Sequence, residues 1–353
     1  MEMDELVALS VKHNVSDLHL CSELPARWRR QGRLELLNHP VPKPENLLAR
    51  WLDDAHQREL SERGQTDFAV SLAGGVRLRG NAFRQMQGVS LVLRLLPRGC
   101  PRLEALGVPP AVPGLLSMPD GLLLVTGATG SGKSTTLAAM VGYLNDTLDG
   151  HILTLEDPVE FCHQPARCLI QQREIGTHCQ SFSDGLRGAL REDPDVILLG
   201  ELRDSDTIRL ALTAAETGHL VLATLHTRGA AQAVERLVDV FAADEQNKVR
   251  SQLAGSLKAV LAQKLVADAQ GGRTALHELL INTPAVANLI REAKTHQLPG
   301  LMETGQQHGM QTFAQSVAMR LNEAGWRCRK RPAPHTGANA REARRARAGR
   351  LRC

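Results

Sequence analysis

Four apolar runs recur in the middle of the chain, and polar residues follow each of them. The runs lie at 122–125, 151–155, 196–199 and 220–225. Helix-like segments separate them, and the clearest of these spans 204–216. Strands that alternate with helices are typical of a mostly parallel sheet covered by helices on both faces. Because ligands bind outside the carboxyl ends of the strands in such α/β sheets, we expect the polar residues after these runs to share one site.

A different pattern occupies the N-terminal part of the chain. Apolar residues within 6–11 predict an opening helix, and alternating residues at 17–20 and 33–36 predict strands. Two further strands are expected at 75–79 and 90–96, joined by a turn that contains a glycine. This part of the chain is therefore predicted to form an α+β domain.

Prolines and glycines indicate the boundaries between the predicted parts. A cluster of them between 97 and 113 indicates a linker. After position 244 the pattern is mainly helical, most clearly at 252–266 and 284–292, with breaks at Gly271-Gly272 and Pro299-Gly300. We divide the chain into an α+β domain (1–98), a linker (99–120), an α/β core (121–270), a helical region (271–326) and a basic tail (327–353).

A glycine-rich motif follows the first apolar run. Residues 127–134 match the P-loop pattern GxxxxGK[ST], between a predicted strand and a helix that starts near Lys133. Backbone N–H groups of such a loop surround phosphate oxygens, and the N-terminal end of the helix adds positive potential. Lys133 is predicted to contact the β- and γ-phosphates of a triphosphate, and Ser134 to ligate Mg²⁺. The predicted nucleotide-binding residues are Gly127, Ala128, Thr129, Gly130, Ser131, Gly132, Lys133, Ser134 and Thr135.

Composition favours a globular protein of the cytoplasm. Hydrophobic residues make up 42% of the chain and aromatic residues 3%, which indicates a core of aliphatic side chains. No apolar run reaches the roughly 18 residues of a membrane span, and the first residues are acidic, unlike those of a secretory signal. The seven cysteines form no CxxC pair and the histidines no HExxH motif, which argues against a disulfide framework and a zinc site.

The net charge of +4 is unevenly distributed. Residues 327–353 contain ten Lys or Arg residues and one acid, which leaves 32 basic and 37 acidic residues, a net charge of −5, in the rest of the chain. Such a tail is most simply a solvated, disordered end, and it could also contact nucleic acid or an anionic membrane surface. We expect no nucleic-acid partner for the acidic body of the protein.

Four motifs follow one another along the chain, at 127–136, 154–160, 193–204 and 217–227. They resemble the Walker A, Asp-box, Walker B and His-box motifs of the secretion and pilus ATPase superfamily. Within that superfamily the chain is most similar to the type IV pilus retraction ATPases. The resemblance implies an α/β fold in which a PAS-like α+β domain precedes a RecA-like P-loop NTPase domain and a helical C-terminal region.

Two further segments extend the resemblance to residues 1 to about 325. Residues 15–20 resemble the opening of the family's N-terminal domain, and residues 284–292 resemble the AIRNLIRE segment of the retraction branch. Ala287 stands where that segment has its central arginine, which removes a fork of hydrogen-bond donors. This departure bears on the coupling to retraction rather than on hydrolysis.

Two glutamates are candidate catalytic residues. The resemblance favours Glu156 as the general base for the attacking water and Glu201, which ends the Walker B strand, as the residue that holds the Mg²⁺ shell; the opposite assignment stays open. Gly200 occupies the ordinary Walker B aspartate position, so we expect few protein ligands and several waters around the metal. Glu156 and Asp157 could instead cap a helix that begins at Pro158.

Histidines and arginines complete the candidate catalytic set. His226 follows a predicted strand, where it could sense the γ-phosphate or hydrogen-bond an acid, and His219 belongs to the same His box. Arg79 and Arg94 stand at the positions of the family's arginine fingers, which could act within one chain or between chains. The alternative is a pair of strand arginines with solvated head groups.

Two other arginines are expected in ion pairs near the same site. Arg203 and Arg209 follow the Walker B strand, close to the carboxylates of Asp204, Asp206 and Glu201. We expect both guanidinium groups to pair with these acids across helix or subunit surfaces.

The resemblance implies a Mg²⁺-dependent ATPase that works as a homo-hexameric ring. By closing its N-terminal domain over ATP, it would drive a pilus or secretion platform at the inner membrane, to which it is peripheral. An assembly or type II secretion ATPase is the alternative within the superfamily, disfavoured by the missing CxxC insertion and longer N-terminal region. A nucleotide-gated adaptor with negligible hydrolysis and a nucleic-acid translocase that uses the basic tail are alternatives from other classes.

Overall fold

The computed structural model of the protein describes residues 2–30, 32–72, 76–96, 99–267 and 272–323. The predicted tail, residues 327–353, lies outside the described residues, as do Gly75 and Gly271 of the predicted strand and break. Contacts divide the chain into one unit that extends to Phe313 and a second that begins at Ala314.

The N-terminal part contains a six-stranded antiparallel sheet and three helices. The strand order is β3-β2-β1-β6-β5-β4. The helices are α1 (Met3–Lys12), α2 (Pro44–Trp51) and α3 (Asp54–Arg63). The strands are β1 (Val15–Cys21), β2 (Arg27–Arg30), β3 (Arg33–Leu36), β4 (Gln65–Ser71), β5 (Arg77–Gln85) and β6 (Gly88–Leu95). Helices beside an antiparallel sheet confirm the predicted α+β character. Apolar side chains that alternate along the strands join those of the helices in one buried core.

The predicted linker contains ordered structure of its own. A 3-10 helix covers Leu103–Leu106, and α4 covers Val112–Leu116. Leu103, Leu115 and Leu116 are buried in the core of the following sheet. The prolines of this segment therefore delimit short helices that pack on the α/β core.

A seven-stranded sheet forms the centre of the α/β core. Its order is β13-β12-β7-β11-β10-β8-β9, and all neighbours are parallel except β12 and β13. The four predicted apolar strands are confirmed, with every residue of three of them buried. The strands are β7 (Gly121–Thr126), β8 (His151–Glu156), β9 (Leu169–Glu174), β10 (Val196–Leu199), β11 (Leu220–Leu225), β12 (Leu257–Ala267) and β13 (Arg273–Ile281).

Helices of the first unit cover both faces of this sheet, which gives two apolar cores. Short 3-10 helices at Thr295–Gln297 and Gly305–His308 lie between the later helices. The second unit contains nearly all of the last helix. The helices are α5 (Lys133–Thr147), α6 (Phe182–Ala189), α7 (Ser205–Glu216), α8 (Ala230–Asp239), α9 (Gln246–Ser256), α10 (Pro284–Arg291), α11 (Leu298–Thr304) and α12 (Phe313–Glu323).

The predicted helix at 252–266 is wrong for most of its length. Helix α9 ends at Ser256, and β12 then pairs with β7 on one side and β13 on the other. The mainly helical pattern expected after position 244 is wrong again at β13. A run rich in Leu, Ala and Val suits either a buried strand or a buried helix, and pairing with the sheet decides between them.

Candidate nucleotide-hydrolysis site

The P-loop lies where the sequence predicts it, between β7 and α5. The loop backbone wraps around the Lys133 ammonium, whose Nζ donates to the carbonyl oxygens of Gly127 at 2.8 Å and Ala128 at 3.3 Å. Gly132, immediately before α5, has a φ of +89°, in the left-handed region that favours glycine. A side chain there would also meet the Gln263 amide nitrogen, 2.8 Å from an ideal Cβ. Only glycine fits this position without strain.

The side chain of Gln263 on β12 supports the P-loop through two hydrogen bonds. The sequence interpretation missed this residue. Its Nε2 donates to the Ser131 carbonyl oxygen at 2.7 Å, and its Oε1 accepts from the Thr136 hydroxyl at 2.7 Å. The side chain is buried, with 3% exposed. A single amide thus joins the loop to the first turn of α5. No motif includes this residue, so the sequence offered no specific signal for it.

Lys133, His226 and Glu201 form a connected chain of polar groups. His226 Nε2 lies 3.0 Å from Glu201 Oε1, and His226 Nδ1 lies 3.4 Å from Lys133 Nζ. An ammonium only donates, so these contacts fit an imidazole whose Nε2–H donates to Glu201 and whose Nδ1 accepts from Lys133. The expected hydrogen bond from His226 to an acid is therefore present.

Glu201 also carries an ion pair with Arg203, whose Nη2 lies 2.7 Å from Oε2. Burial acts to raise the pKa of Glu201, but the bonds from Arg203 and His226 outweigh it and hold the pKa below its usual value. Burial lowers the pKa of the Lys133 ammonium, while the charges of Glu201 and Glu160 act in the opposite direction. Glu201 is therefore a charged carboxylate beside the P-loop.

Glu156 has the opposite electrostatic environment. It ends β8, one strand away from Gly200, which follows β10. The Thr154 hydroxyl donates to Glu156 Oε1 at 2.7 Å, and Gln172 Nε2 donates to the same oxygen at 3.2 Å. Burial nevertheless raises the pKa of Glu156 above its usual value. The pKa values of the two candidate glutamates are therefore shifted in opposite directions.

One cavity of about 790 Å³ joins these groups. Lys133, Ser134, Glu156, Glu201 and His226 all line it, as the common strand edge predicts. The sequence interpretation missed several other lining residues: Glu160, His163, Leu265 and Arg273. Glu160 is the last residue of the Asp-box segment, His163 lies in the loop after it, and the other two lie on β12 and β13, which no motif marks.

Both N-terminal arginines line the same cavity. Arg79 on β5 and Arg94 on β6 stand directly opposite each other in the antiparallel pair. Arg94 Nε donates to Asp17 Oδ1 at 2.9 Å. Like charges at directly opposed positions repel. An anion within the cavity would relieve that repulsion.

Three sequence expectations are not met within the chain. His219 lies at the start of β11, where Nδ1 contacts the Ala214 carbonyl oxygen at 3.1 Å, outside the cavity. No helix begins at Pro158 in the described part of the chain, so the capping interpretation of Glu156 is wrong. Arg209 pairs with Glu245 at 2.9 Å rather than with the acids near Walker B.

Asp204 explains the difference at Arg209. Its carboxylate caps the start of α7 by accepting from the Thr207 backbone N–H at 2.8 Å. Capping satisfies a helix-end donor that has no intrahelical partner. The expected pairing of Arg203 with Glu201 is confirmed.

The donor set fits ATP and Mg²⁺. Magnesium prefers hard oxygen ligands and keeps several waters, and the cavity offers the Ser134 hydroxyl and the Glu201 carboxylate. No group of three or more His, Cys, Asp or Glu side chains that could hold a metal by themselves occurs within the described ranges. The arrangement suits a cation held mainly by phosphate oxygens and water.

These features define a class of protein. A buried parallel strand leads into a glycine-rich loop around a lysine, and carboxylates follow the neighbouring strands; this is the site of a P-loop nucleotide-binding protein. The sequence pattern of the family described as "Type II/IV secretion system protein" matches residues 3–325, and the chain belongs to this family.

Individual relatives agree with that assignment. The chain is 70% identical over 323 residues to the uncharacterized protein YggR of Escherichia coli K12, covering 92% of this chain and 99% of that protein. It is 49% identical to the type IV pilus retraction ATPase PilT of Pseudomonas aeruginosa, covering 89% and 92%. A crystal structure of the pilus retraction motor PilT with bound ADP matches with a TM-score of 0.84 and 40% identity, covering 92% and 94%. The resemblance to type IV pilus retraction ATPases is confirmed.

Proposed function

We propose that this protein is a Mg²⁺-dependent ATPase that works as a homo-hexameric motor on a type IV pilus or a related secretion platform, most like the retraction ATPases. One observation carries the proposal: the cavity that contains Lys133, Glu156 and Glu201 is also lined by Arg79 and Arg94 of the N-terminal sheet. A site shared by two linked parts of a chain allows nucleotide state to select their relative orientation. The similarity to PilT supports the same function.

Different residues contact the phosphates and the Mg²⁺ in this proposal. The P-loop N–H groups hold the β-phosphate, and Lys133 turns from its carbonyl partners to the β- and γ-phosphate oxygens. Ser134 and the charged Glu201 hold the Mg²⁺ shell. When bound, Mg²⁺ neutralises negative charge on the transferring oxygens.

Glu156 acts as the general base in this proposal. Burial raises the pKa of its carboxyl group, which makes the ionised form a stronger proton acceptor. Thr154 and Gln172 orient the carboxylate through Oε1. The proton of the attacking water passes to Glu156 as the oxygen–phosphorus bond forms and ADP leaves. Glu201, with its lowered pKa, is the poorer base, which supports the division of roles favoured by the sequence.

Three cations compensate the charge that develops on the γ-phosphate oxygens. Lys133 approaches from the P-loop, and Arg79 and Arg94 approach from the N-terminal sheet. Charges fixed in advance around a partly buried site stabilise the transition state without reorganisation. His226 responds to nucleotide binding, because its Nδ1 loses the Lys133 Nζ donor when Nζ turns to the nucleotide.

The partner of the motor is proposed from the relatives alone. No helix in the described parts of the chain is long and apolar enough to cross a membrane. By analogy with the pilus retraction ATPase PilT, we assign the membrane-embedded part to a separate platform protein at the inner membrane. Ala287 is buried in α10, with 8% exposed, so this chain presents no arginine side chain to a partner at that position.

Steady-state ATP hydrolysis and native mass test the proposal together. We expect a hexamer and a Mg²⁺-dependent rate that Lys133→Ala and Glu156→Ala reduce by at least about 100-fold, a usual scale for the loss of general-base catalysis. Glu303→Ala, an exposed glutamate on α11, is the matched control and keeps the wild-type rate. A wild-type rate equal to that of Glu156→Ala, with ATP still bound, would support a nucleotide-gated adaptor instead.

A further inference from the structure

A buried ion pair connects the N-terminal sheet to the α/β core. Arg77 Nη2 at the start of β5 contacts Glu174 Oε2 at the end of β9, and only 20% and 9% of these side chains are exposed. The same Glu174 oxygen accepts from the Val159 backbone N–H at 3.0 Å. We call the Arg77–Glu174 pair, together with its bond to Val159, the interdomain latch.

On the core side, the latch holds the loop that follows Glu156. Strands β8 and β9 are parallel neighbours, and Glu156 and Glu174 stand opposite each other in the register. Val159 lies three residues after Glu156, so its bond to Glu174 closes this loop across the strand ends. Glu174 therefore holds the backbone of the loop that begins at Glu156.

On the N-terminal side, the latch fixes the strand that carries Arg79. Side chains two residues apart on a strand point to the same face, so Arg77 and Arg79 share one face of β5. Arg79 lines the nucleotide-hydrolysis cavity, and Arg77 pairs with the core beside it. Arg79 stands opposite Arg94 in the β5–β6 pair, and Arg94 is itself paired with Asp17.

A second cavity of about 700 Å³ separates α3 and β4 from the Asp157–Pro158 segment, and Arg79 and Glu174 both line it. An ion pair with little exposure is sensitive to the loss of either partner, because the remaining charge is left buried. The exposed pair of Arg63 and Glu59 offers a contrast, since exposed pairs contribute little.

We propose that Arg77 and Glu174 are positioning residues for ATP hydrolysis. The latch sets the separation between the Arg79 guanidinium and the Glu156 loop, so that the cation from the N-terminal sheet and the base from the core reach the γ-phosphate together. This inference rests on the proposed ATPase function. In this proposal, the Arg77–Glu174 ion pair couples the position of the N-terminal sheet to ATP hydrolysis.

A kinetic cycle tests whether Arg77 acts through Arg79. We expect Arg77→Gln to lower kcat about tenfold or more with a smaller change in KM, as for an interaction made only in the transition state. In an Arg79→Gln background the same change should have almost no further effect, because coupled residues are not additive. Arg77→Lys should restore part of the rate. Arg84→Gln, an exposed arginine on the same strand, is the matched control.

Equal losses from Arg77→Gln with and without Arg79 would overturn the proposal, as would a wild-type rate for Arg77→Gln. Glu174→Gln keeps an oxygen for the Val159 N–H but removes the charge, so it provides a second variant if Arg77→Gln fails to fold. Its kcat should fall in the same way, with ADP affinity close to that of the wild type.

Hydrogen exchange provides a readout that does not depend on turnover. With ADP bound, we expect faster amide exchange in peptides that contain Val159 and the start of β5 in both Arg77→Gln and Glu174→Gln, but not in Arg84→Gln. Unchanged exchange would overturn the latch. If the wild type hydrolyses no ATP, the proposed function fails and this comparison still decides for or against the latch.

Discussion

Gln263→Leu should disorder the P-loop without removing any group that contacts nucleotide. The change leaves the Ser131 carbonyl oxygen and the Thr136 hydroxyl without the partners that they have at 2.7 Å. Both residues are buried. Each buried polar group without a partner costs about 1–3 kcal/mol, so we expect a loss of about 2–6 kcal/mol in the free energy of unfolding.

The loss should also weaken nucleotide binding. Ser131 belongs to the phosphate cradle, and its carbonyl orientation fixes the adjacent N–H groups. If about 1.4 kcal/mol of the loss falls on the bound conformation of the loop, the Kd for ADP rises about tenfold. Urea unfolding and titration with a fluorescent ADP measure the two effects separately.

Two further variants decide the cause. Gln263→Leu combined with Thr136→Val removes donor and acceptor together, so it should be more stable than Gln263→Leu alone, because one orphaned group disappears. Gln307→Leu, at an exposed glutamine, controls for the gain of an apolar side chain. Wild-type stability and ADP affinity in Gln263→Leu would refute the argument that this amide supports the P-loop.

Three other predictions concern the two glutamates. The acid limb of the kcat–pH profile should lie above the ordinary carboxyl pKa of 4.5, because burial raises the pKa of Glu156; Gln172→Leu removes a bond that lowers this pKa and should move the limb to higher pH, whereas an unmoved limb contradicts Glu156 as the base. His226→Ala removes a hydrogen bond to a charged group, worth about 1.5–3 kcal/mol, and should lower kcat about 10- to 100-fold; kcat unchanged from the wild type contradicts that role. The pKa of Glu201 is lower in the folded state, so its ion pair stabilises that state above the ordinary pKa of 4.5, and this stabilisation is lost as the pH falls below it. Arg203→Ala should therefore reduce the melting temperature at neutral pH more than in acid. Equal reductions contradict the ion pair.

Strong local patterns made the centre of the fold predictable. Strands β7, β8, β10 and β11 are almost completely buried on both faces, so their apolar runs stand out from the polar loops around them. The P-loop has fixed residues at fixed spacing between a strand and a helix. The position of the phosphate site follows from those two facts.

Strand β12 was not predictable, because its identity is decided by neighbours far away in the sequence. Its apolar run is longer than most strands and fits a helix equally well until β7 and β13 pair with it. Because a helix was predicted at 252–266, the role of Gln263 was missed, since that role requires a strand that runs next to the P-loop.

Prediction of the candidate site is also limited by contacts between residues that are far apart in the sequence. Glu156, Glu201 and His226 follow predicted strands, so their convergence could be inferred from the topology of a parallel sheet. His219 belongs to the same motif but stands at the other end of β11, a distinction that the motif does not make. Nothing in the sequence pairs Arg77 with Glu174, which are 97 positions apart.

Single-turnover hydrolysis of ATP by Glu156→Gln, with ATP binding measured on the same preparation, decides whether Glu156 is the general base. We expect wild-type affinity for ATP and a cleavage rate lower by at least about 100-fold, because the amide oxygen can still accept the two hydrogen bonds but the group cannot take up the proton. Wild-type cleavage by Glu156→Gln would contradict the assignment of the base and, with it, the proposed division of roles between Glu156 and Glu201.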